Sequence, residues 1–170
     1  MMRVATSWLV YRLTGSSILL GVVGFAGQIP TFLLGPVAGV LVDRWDRHRT
    51  LVVTQVFLML QSLAMAGLTL AGVITPAQII LLSVVQGVIN SVDMPARQAF
   101  VVQMVENRED LGNAIALNSS MFNGARLAGP AIAGMVIAAV GEGVCFLLDG
   151  LSYVAVIGSL LAMKIQAAPP

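Results

Sequence analysis

Residues 50–92 read TLVVTQVFLMLQSLAMAGLTLAGVITPAQIILLSVVQGVINSV, 43 consecutive residues without a charged side chain. As one helix this run would be about 65 Å long, twice the roughly 30 Å hydrocarbon core of a bilayer. It divides at Gly72-Val73-Ile74-Thr75-Pro76. Thr75 can cap a helix start, and Pro76 suits the first helical position, where its missing N–H would have no partner anyway. Two spans follow, 50–72 and 76–97. Working outward, Leu13–Val42 is 30 residues without charge, Leu111–Gly141 is 31 interrupted only by Arg126, and Gly143–Met163 is 21 interrupted only by Asp149. Each matches the roughly 20 apolar residues that cross a membrane. The sequence therefore predicts an all-α integral membrane domain over 1–170, with full spans at 16–42, 50–72, 76–97, 111–140 and 143–164.

Composition points the same way. Hydrophobic residues make up 58% and charged residues 10%, with a mean hydropathy of +0.92. A soluble domain carries about 25% charged residues, so this chain lacks the polar surface to coat a globule. It is also too hydrophobic for disorder. The net charge of +1 provides no field to draw nucleic acid, and membrane lipid is the expected partner. Cys145 is the sole cysteine and His48 the sole histidine. A disulfide, a cysteine metal cage and histidine-based catalysis are therefore not expected. The chain contains neither H-E-x-x-H nor a phosphate loop, so no cofactor, enzyme chemistry or ATP-driven pumping is expected.

The start differs from the rest. Val4–Tyr11 is apolar but lies between Arg3 and Arg12, and eight helical residues rise only about 12 Å. Residues 1–13 read as the remnant of a first helix whose beginning is missing. Arg44, Arg47, Arg49, Arg97, Arg108 and Lys164 fall in alternate connections, whereas the turns at 73–76 and 141–142 have no Lys or Arg and Arg12 lies beside the remaining one. The basic side is expected to be cytoplasmic. Gly35 and Gly39 form a G-x-x-x-G step, Ala125, Gly129 and Ala133 repeat at four, and Gly21, Gly24 and Gly27 repeat at three. Such stripes let membrane helices approach closely. Pro30, Pro36, Pro95 and Pro130 fall within or at the ends of spans and remove backbone donors there.

Four stretches carry a family resemblance: Trp8–Ser16; Gly39-Val40-Leu41-Val42-Asp43-Arg44-Trp45-Asp46-Arg47-His48-Arg49; Asp93-Met94-Pro95-Ala96-Arg97-Gln98-Ala99-Phe100; and Asn118–Gly134, which contains Arg126 and Gly129-Pro130. Together they resemble the N-terminal half of a major facilitator superfamily transporter, in the enterobactin-exporter-like or transmembrane secretion effector branch. The resemblance implies a six-helix half with its first helix truncated, and a central loop beginning at 165–170. It implies proton-coupled export of a small drug- or siderophore-like molecule, a bacterial inner membrane, and a C-terminal six-helix half as the missing partner. It also implies a cytoplasmic latch at Gly39, Asp43, Arg44, Arg47 and Arg49, and an exporter motif at Gly129, Pro130 and Gly134. Asp46 stands where the wider superfamily often has Gly. Ser83 stands where a helix-four motif has its arginine, so the coupling role of that arginine does not transfer.

Several charges fall at membrane depth. Arg126 would cost about 2.5–3.5 kcal/mol at a helix centre on insertion scales. Counting along the helices puts Arg126 and Asp93 about 21 Å and 25 Å from the same side, so the two are expected to pair between neighbouring helices; the alternative is separate hydration in a wet cavity. Arg97 shares a face with Asp93; it either competes for Asp93 or joins Glu106 and Asp110 at the cytoplasmic surface, the second being the expectation. Asp149 is either a hydrated structural carboxylate or a protonatable coupling group. Asn90, Asn118 and Asn123 are expected in interhelical hydrogen bonds or along a substrate path. Residues 98–105 read as an amphipathic connector, Asn107 as the cap of the fifth helix, and His48 as a solvated loop residue. A membrane scaffold or an inactive half-transporter is the alternative function.

Overall fold

The computed structural model describes residues 1–104 and 110–163. They form six helices: α1 Met2–Thr14, α2 Ser17–Arg44, α3 Arg47–Leu70, α4 Pro76–Met104, α5 Leu111–Val140 and α6 Glu142–Ala162. Helices α2 to α6 are long and apolar enough to cross a membrane. With α1 they build the all-α bundle expected of a major facilitator half. Glu106, Asn107, Arg108 and Lys164, and the loop expected over 165–170, lie outside the described residues.

The turns show why the helices begin where they do. Gly15 ends α1 at φ 61°, a left-handed conformation that glycine adopts without a Cβ clash. Ser16 then caps α2, accepting from the Leu19 N–H at 3.4 Å. Thr75 caps α4 as expected and is answered by a residue the sequence reading passed over. Thr75 Oγ1 accepts from the Gln78 N–H at 3.4 Å, and Gln78 Oε1 accepts from the Thr75 N–H at 2.9 Å. This reciprocal pair satisfies two donors left over at a helix start.

Two boundaries differ from expectation. Asp46 accepts from the Arg49 N–H at 2.9 Å and starts α3 at Arg47. Arg47, His48 and Arg49 thus occupy a first helical turn instead of a loop, and Asp46 is useful where the wider superfamily has glycine because it caps. Helix α4 continues through Pro95 to Met104. Pro95 removes a single backbone donor, and beyond it Ala96 and Phe100 are buried against Val42, Leu51 and Leu160. The connector expected over 98–105 is thus helical as far as Met104, in the last part of α4, and Val105 lies outside the described residues.

Helix α2 packs mainly on α4, and α3 packs on α6 and α4, while α4 and α5 barely touch. A Cβ built on Gly87 would land on the Gly27 backbone and the Pro30 ring, so the α2–α4 contact needs glycine there. Thr31 Oγ1 donates to the Gly87 carbonyl at 2.9 Å across the same contact. On α6, Gly143 and Gly150 leave room for Leu70 and Leu63 of α3. Of the expected small residues, Gly27 lies at this close contact and Ala133 is fully buried, whereas a Cβ at Gly21, Gly24, Gly35 or Gly39 would meet nothing within 4 Å.

Candidate functional site

Helices α1, α2, α4 and α5 surround an open-sided cavity of about 1090 Å³. Its polar lining includes Arg3, Gln28 and Arg126, and its aromatic lining is Phe25, Phe32 and Phe122. Arg3 donates to Gln28 Oε1 at 3.2 Å. The three polar residues share one depth. Arg3 and Gln28 each lie twelve positions from the turn at Gly15 and Ser16, about 18 Å along their helices. Arg126 lies fourteen positions before Val140, about 21 Å along α5. That is mid-membrane, where an unsolvated guanidinium is expensive and a hydrated cavity removes most of the penalty. A smaller neighbouring cavity of about 230 Å³ shares Arg3 and Gln28 and adds Ser83, Gln86 and Asn90. Asn90 therefore lines a cavity, one of its two expected roles, while Asn118 and Asn123 lie on an exposed face of α5.

Arg126 does not pair with Asp93. Asp93 is buried and faces α3, where its Oδ1 accepts from Gln55 Nε2 at 2.7 Å and lies 2.7 Å from Thr54 Oγ1. The Thr54 hydroxyl is also 2.9 Å from the Leu51 carbonyl, so its single proton is shared between two acceptors. Asp93 Oδ2 accepts from Arg97 at 3.2 Å, an i,i+4 ion pair with Arg97 half-exposed. The expectation failed because α4 and α5, although neighbours in sequence, flank the cavity instead of packing together. One step along α4 turns the side chain about 100°, so Asp93 meets α3 while Met94 lines the cavity. Arg97 thus takes the alternative of its two expected roles, pairing with Asp93 within its own helix, while Glu106 lies outside the described residues.

At the opposite end of α3 from the Gly72 turn, Asp43, Arg44 and Arg49 are exposed and Arg47 is half-buried. No carboxylate of the described residues ion-pairs with these arginines. His48 corrects the solvated-loop expectation. Its Nε2 lies 2.7 Å from the Leu160 carbonyl, and its ring centroid is 6.0 Å from that of Phe100. A carbonyl can only accept, so Nε2 carries the proton. His48 thereby ties the start of α3 to the last turn of α6, beside the end of α4.

Asp149 is partly buried, and Ser62 Oγ lies 3.3 Å from its Oδ2. Ser62 Oγ is also 3.0 Å from the Phe146 carbonyl, so the α3–α6 contact carries a polar group within its apolar packing. Arg12 forms an ion pair with Glu142, which was not foreseen. Glu142 is buried, and its Oε1 has no partner but that guanidinium. A visible signal existed: Arg12 is basic in the last turn of α1 and Glu142 acidic in the first turn of α6, each favoured by its helix dipole. In the exporter motif, Pro130 is exposed, a Cβ on Gly129 would meet only the Met1 backbone at 3.9 Å, and one on Gly134 would meet nothing.

Comparison with known proteins accords with this architecture. The sequence profile described as transmembrane secretion effector matches residues 1–170. The chain is similar to the staphyloferrin A transporter of Staphylococcus aureus, 28% identical over 152 residues, covering 89% of this chain and 38% of that one. It is similar to the multidrug efflux pump Tap of Mycolicibacterium fortuitum, 27% identical over 142 residues, covering 81% and 35%. The MFS-type transporter YfiS of Bacillus subtilis is 25% identical over 129 residues, covering 76% and 30%. The chain thus spans about a third of the length of these curated relatives. No solved structure matches it. With five membrane-crossing helices and a profile match along its whole length, the chain is a multi-pass membrane protein that belongs to the transmembrane secretion effector family of the major facilitator superfamily.

Proposed function

We propose that this chain forms one half of a secondary transporter that exports small amphipathic molecules across a bacterial plasma membrane. The observation that carries this reading is the 1090 Å³ cavity with Arg3, Gln28 and Arg126 at one depth. Alternating access places substrate near the midplane, between two helix bundles that rock about it. A second six-helix unit would close the open side of the cavity. The exposed apolar side chains of α2 and α5, including Phe32, Val37, Leu117 and Met121, give it a surface to pack on, and the greater length of the relatives supports its existence. Their names, a siderophore transporter and a multidrug efflux pump, support a small-molecule cargo.

The family resemblance supports roles for the remaining residues. Asp43, Arg44, Arg47 and Arg49 are placed to latch the cytoplasmic ends against the second unit in the outward-facing state, with Gly39 one turn before Asp43. The Asp93–Arg97 pair, fastened to Thr54 and Gln55, holds α3 to α4. Gly129, Pro130 and Gly134 leave α5 unobstructed beside the cavity. Proton coupling requires a carboxylate that changes protonation during the cycle. Asp149 is the candidate, because it is partly buried and has only Ser62 beside its Oδ2.

The test uses inverted membrane vesicles containing the full natural gene product, energised to acidify their interior, with a fluorescent amphipathic solute outside. The reading predicts accumulation that collapses when a protonophore is added, and that falls to the level of vesicles lacking the protein for Arg126→Ala. Accumulation that survives the protonophore would refute proton coupling. Undiminished transport by Arg126→Ala would refute the cavity as the path.

A further inference from the structure

The charges on the cavity wall are of one sign. Among the described residues, Arg3 and Arg126 are the only ionised ones lining it, and none of those lining side chains is acidic. No carboxylate of the described residues ion-pairs with either guanidinium, since Asp93 is taken by Arg97 and Glu142 by Arg12. Arg3 has five N–H donors and gives one to Gln28, which leaves most of its fork for a ligand. A guanidinium fork matches a carboxylate, sulfonate or phosphate. The rest of the wall is apolar, with Phe25, Phe32 and Phe122 presenting flat surfaces beside the arginines. A cleft lined by one sign of charge, with low-dielectric walls, concentrates the opposite ion.

From this we infer that the cavity selects anions, and that its cargo is an amphipathic organic acid. The acid group sits between Arg3 and Arg126, and the apolar part lies on the phenylalanines. This rests on the transport reading above and goes beyond it by fixing the sign of the cargo. Asp93, one residue from the cavity-lining Met94, does not weaken the selection, because it faces α3.

Charge-selective thiol labelling tests the inference without a known substrate. Ala125 lines the cavity beside Arg126. Ala125→Cys is made in the full natural gene product, with Cys145 replaced by Ala and any other thiol removed. Membranes are treated with two methanethiosulfonate reagents, one bearing an ethylsulfonate and the other an ethyltrimethylammonium. In both cases the thiolate attacks sulfur, a mixed disulfide forms and methanesulfinate leaves, so only the carried charge differs. Each rate is divided by that of the same reagent with a small free thiol.

The expected result is a normalised preference of about tenfold for the sulfonate. Arg126→Gln and Arg3→Gln should each reduce it, and Arg126→Lys should keep it. A purely structural role for the arginines would not track charge in this way. Adding 1-naphthoate should slow labelling more than 1-naphthamide does. Equal rates, or a faster ammonium reagent, would overturn the inference while leaving the transport reading intact. Equal protection by acid and amide, or protection by neither, would overturn the organic-acid seat. Labelling by neither reagent would mean a dry cavity, and that would overturn the transport reading itself.

Discussion

Helices α2 and α4 meet so closely that a methyl group on Gly87 would fall on the Gly27 carbonyl, whereas α5, thirty residues long, is exposed along nearly its whole length. Both regions are apolar, so hydrophobicity does not separate them. In a bilayer, lipid chains solvate an apolar side chain as well as another helix does. Helices therefore associate where backbones can approach and where polar groups find partners. The α2–α4 and α3–α6 contacts have both devices: Gly87, Gly143 and Gly150 for approach, and Thr31 and Ser62 for hydrogen bonding; the Thr54–Gln55–Asp93 group ties α3 to α4. Helix α5 carries both kinds of residue, Gly124 and Gly134 for approach and Asn118 and Asn123 for hydrogen bonding, but no helix among the described residues covers them, and the cavity opens beside it.

The contrast can be broken by substitution, with stability read from thermal unfolding in detergent. Gly87→Ala should be the most damaging small change, about 3 kcal/mol, since the obstructing atoms include backbone that cannot turn aside. Gly21→Ala on α2, with nothing within 4 Å, should instead stabilise by about 0.5 kcal/mol through helix propensity. Equal effects at the two sites would show that α2 and α4 are not in close contact. Asp93→Ala should cost about 3 kcal/mol by stranding the buried amide of Gln55 and the guanidinium of Arg97. Asp93→Asn keeps one acceptor oxygen and should cost about 1 kcal/mol. Ser62→Ala should cost about 1 kcal/mol, the usual value of one buried hydrogen bond. Phe122→Ala on the cavity wall should change stability by less than about 0.5 kcal/mol yet impair solute transport, separating the wall from the packed side.

Much of the bundle was legible because membrane spans declare themselves by length and lack of charge. The uncharged run at 50–92 and the Thr75-Pro76 signal mark the turn between α3 and α4, whereas α4 runs seven residues beyond its expected end at 97. The helix starts were less legible. Asp46 reads as loop until its carboxylate is seen accepting from Arg49, and a capping residue moves two arginines and a histidine from loop into helix. The candidate site was half legible. Arg126 stands out in any reading as a mid-span charge, and depth along a helix can be counted. Which face a residue presents cannot be counted without knowing the neighbour. Adjacency in sequence suggested that α4 packs on α5, and with it the Asp93–Arg126 pair; the bundle instead sets α4 against α2 and α3. Arg3 was read as a boundary of the short first segment, and only the arrangement of α1 against α2 and α5 brings it level with Arg126. The Arg12–Glu142 pair needed the same knowledge, that α1 ends beside the start of α6.

The central claim is that α5 has a wet face on the cavity beside a face that is not wet. Ala125 lines the cavity, while Leu127, two residues on and 82% exposed, does not. Single cysteines at these two positions, in membranes containing the full natural gene product, should react differently with a membrane-impermeant maleimide. Rapid labelling of Ala125→Cys and slow labelling of Leu127→Cys are expected, with both fully reactive after denaturation in detergent. Equal labelling, or faster labelling at Leu127, would contradict that claim.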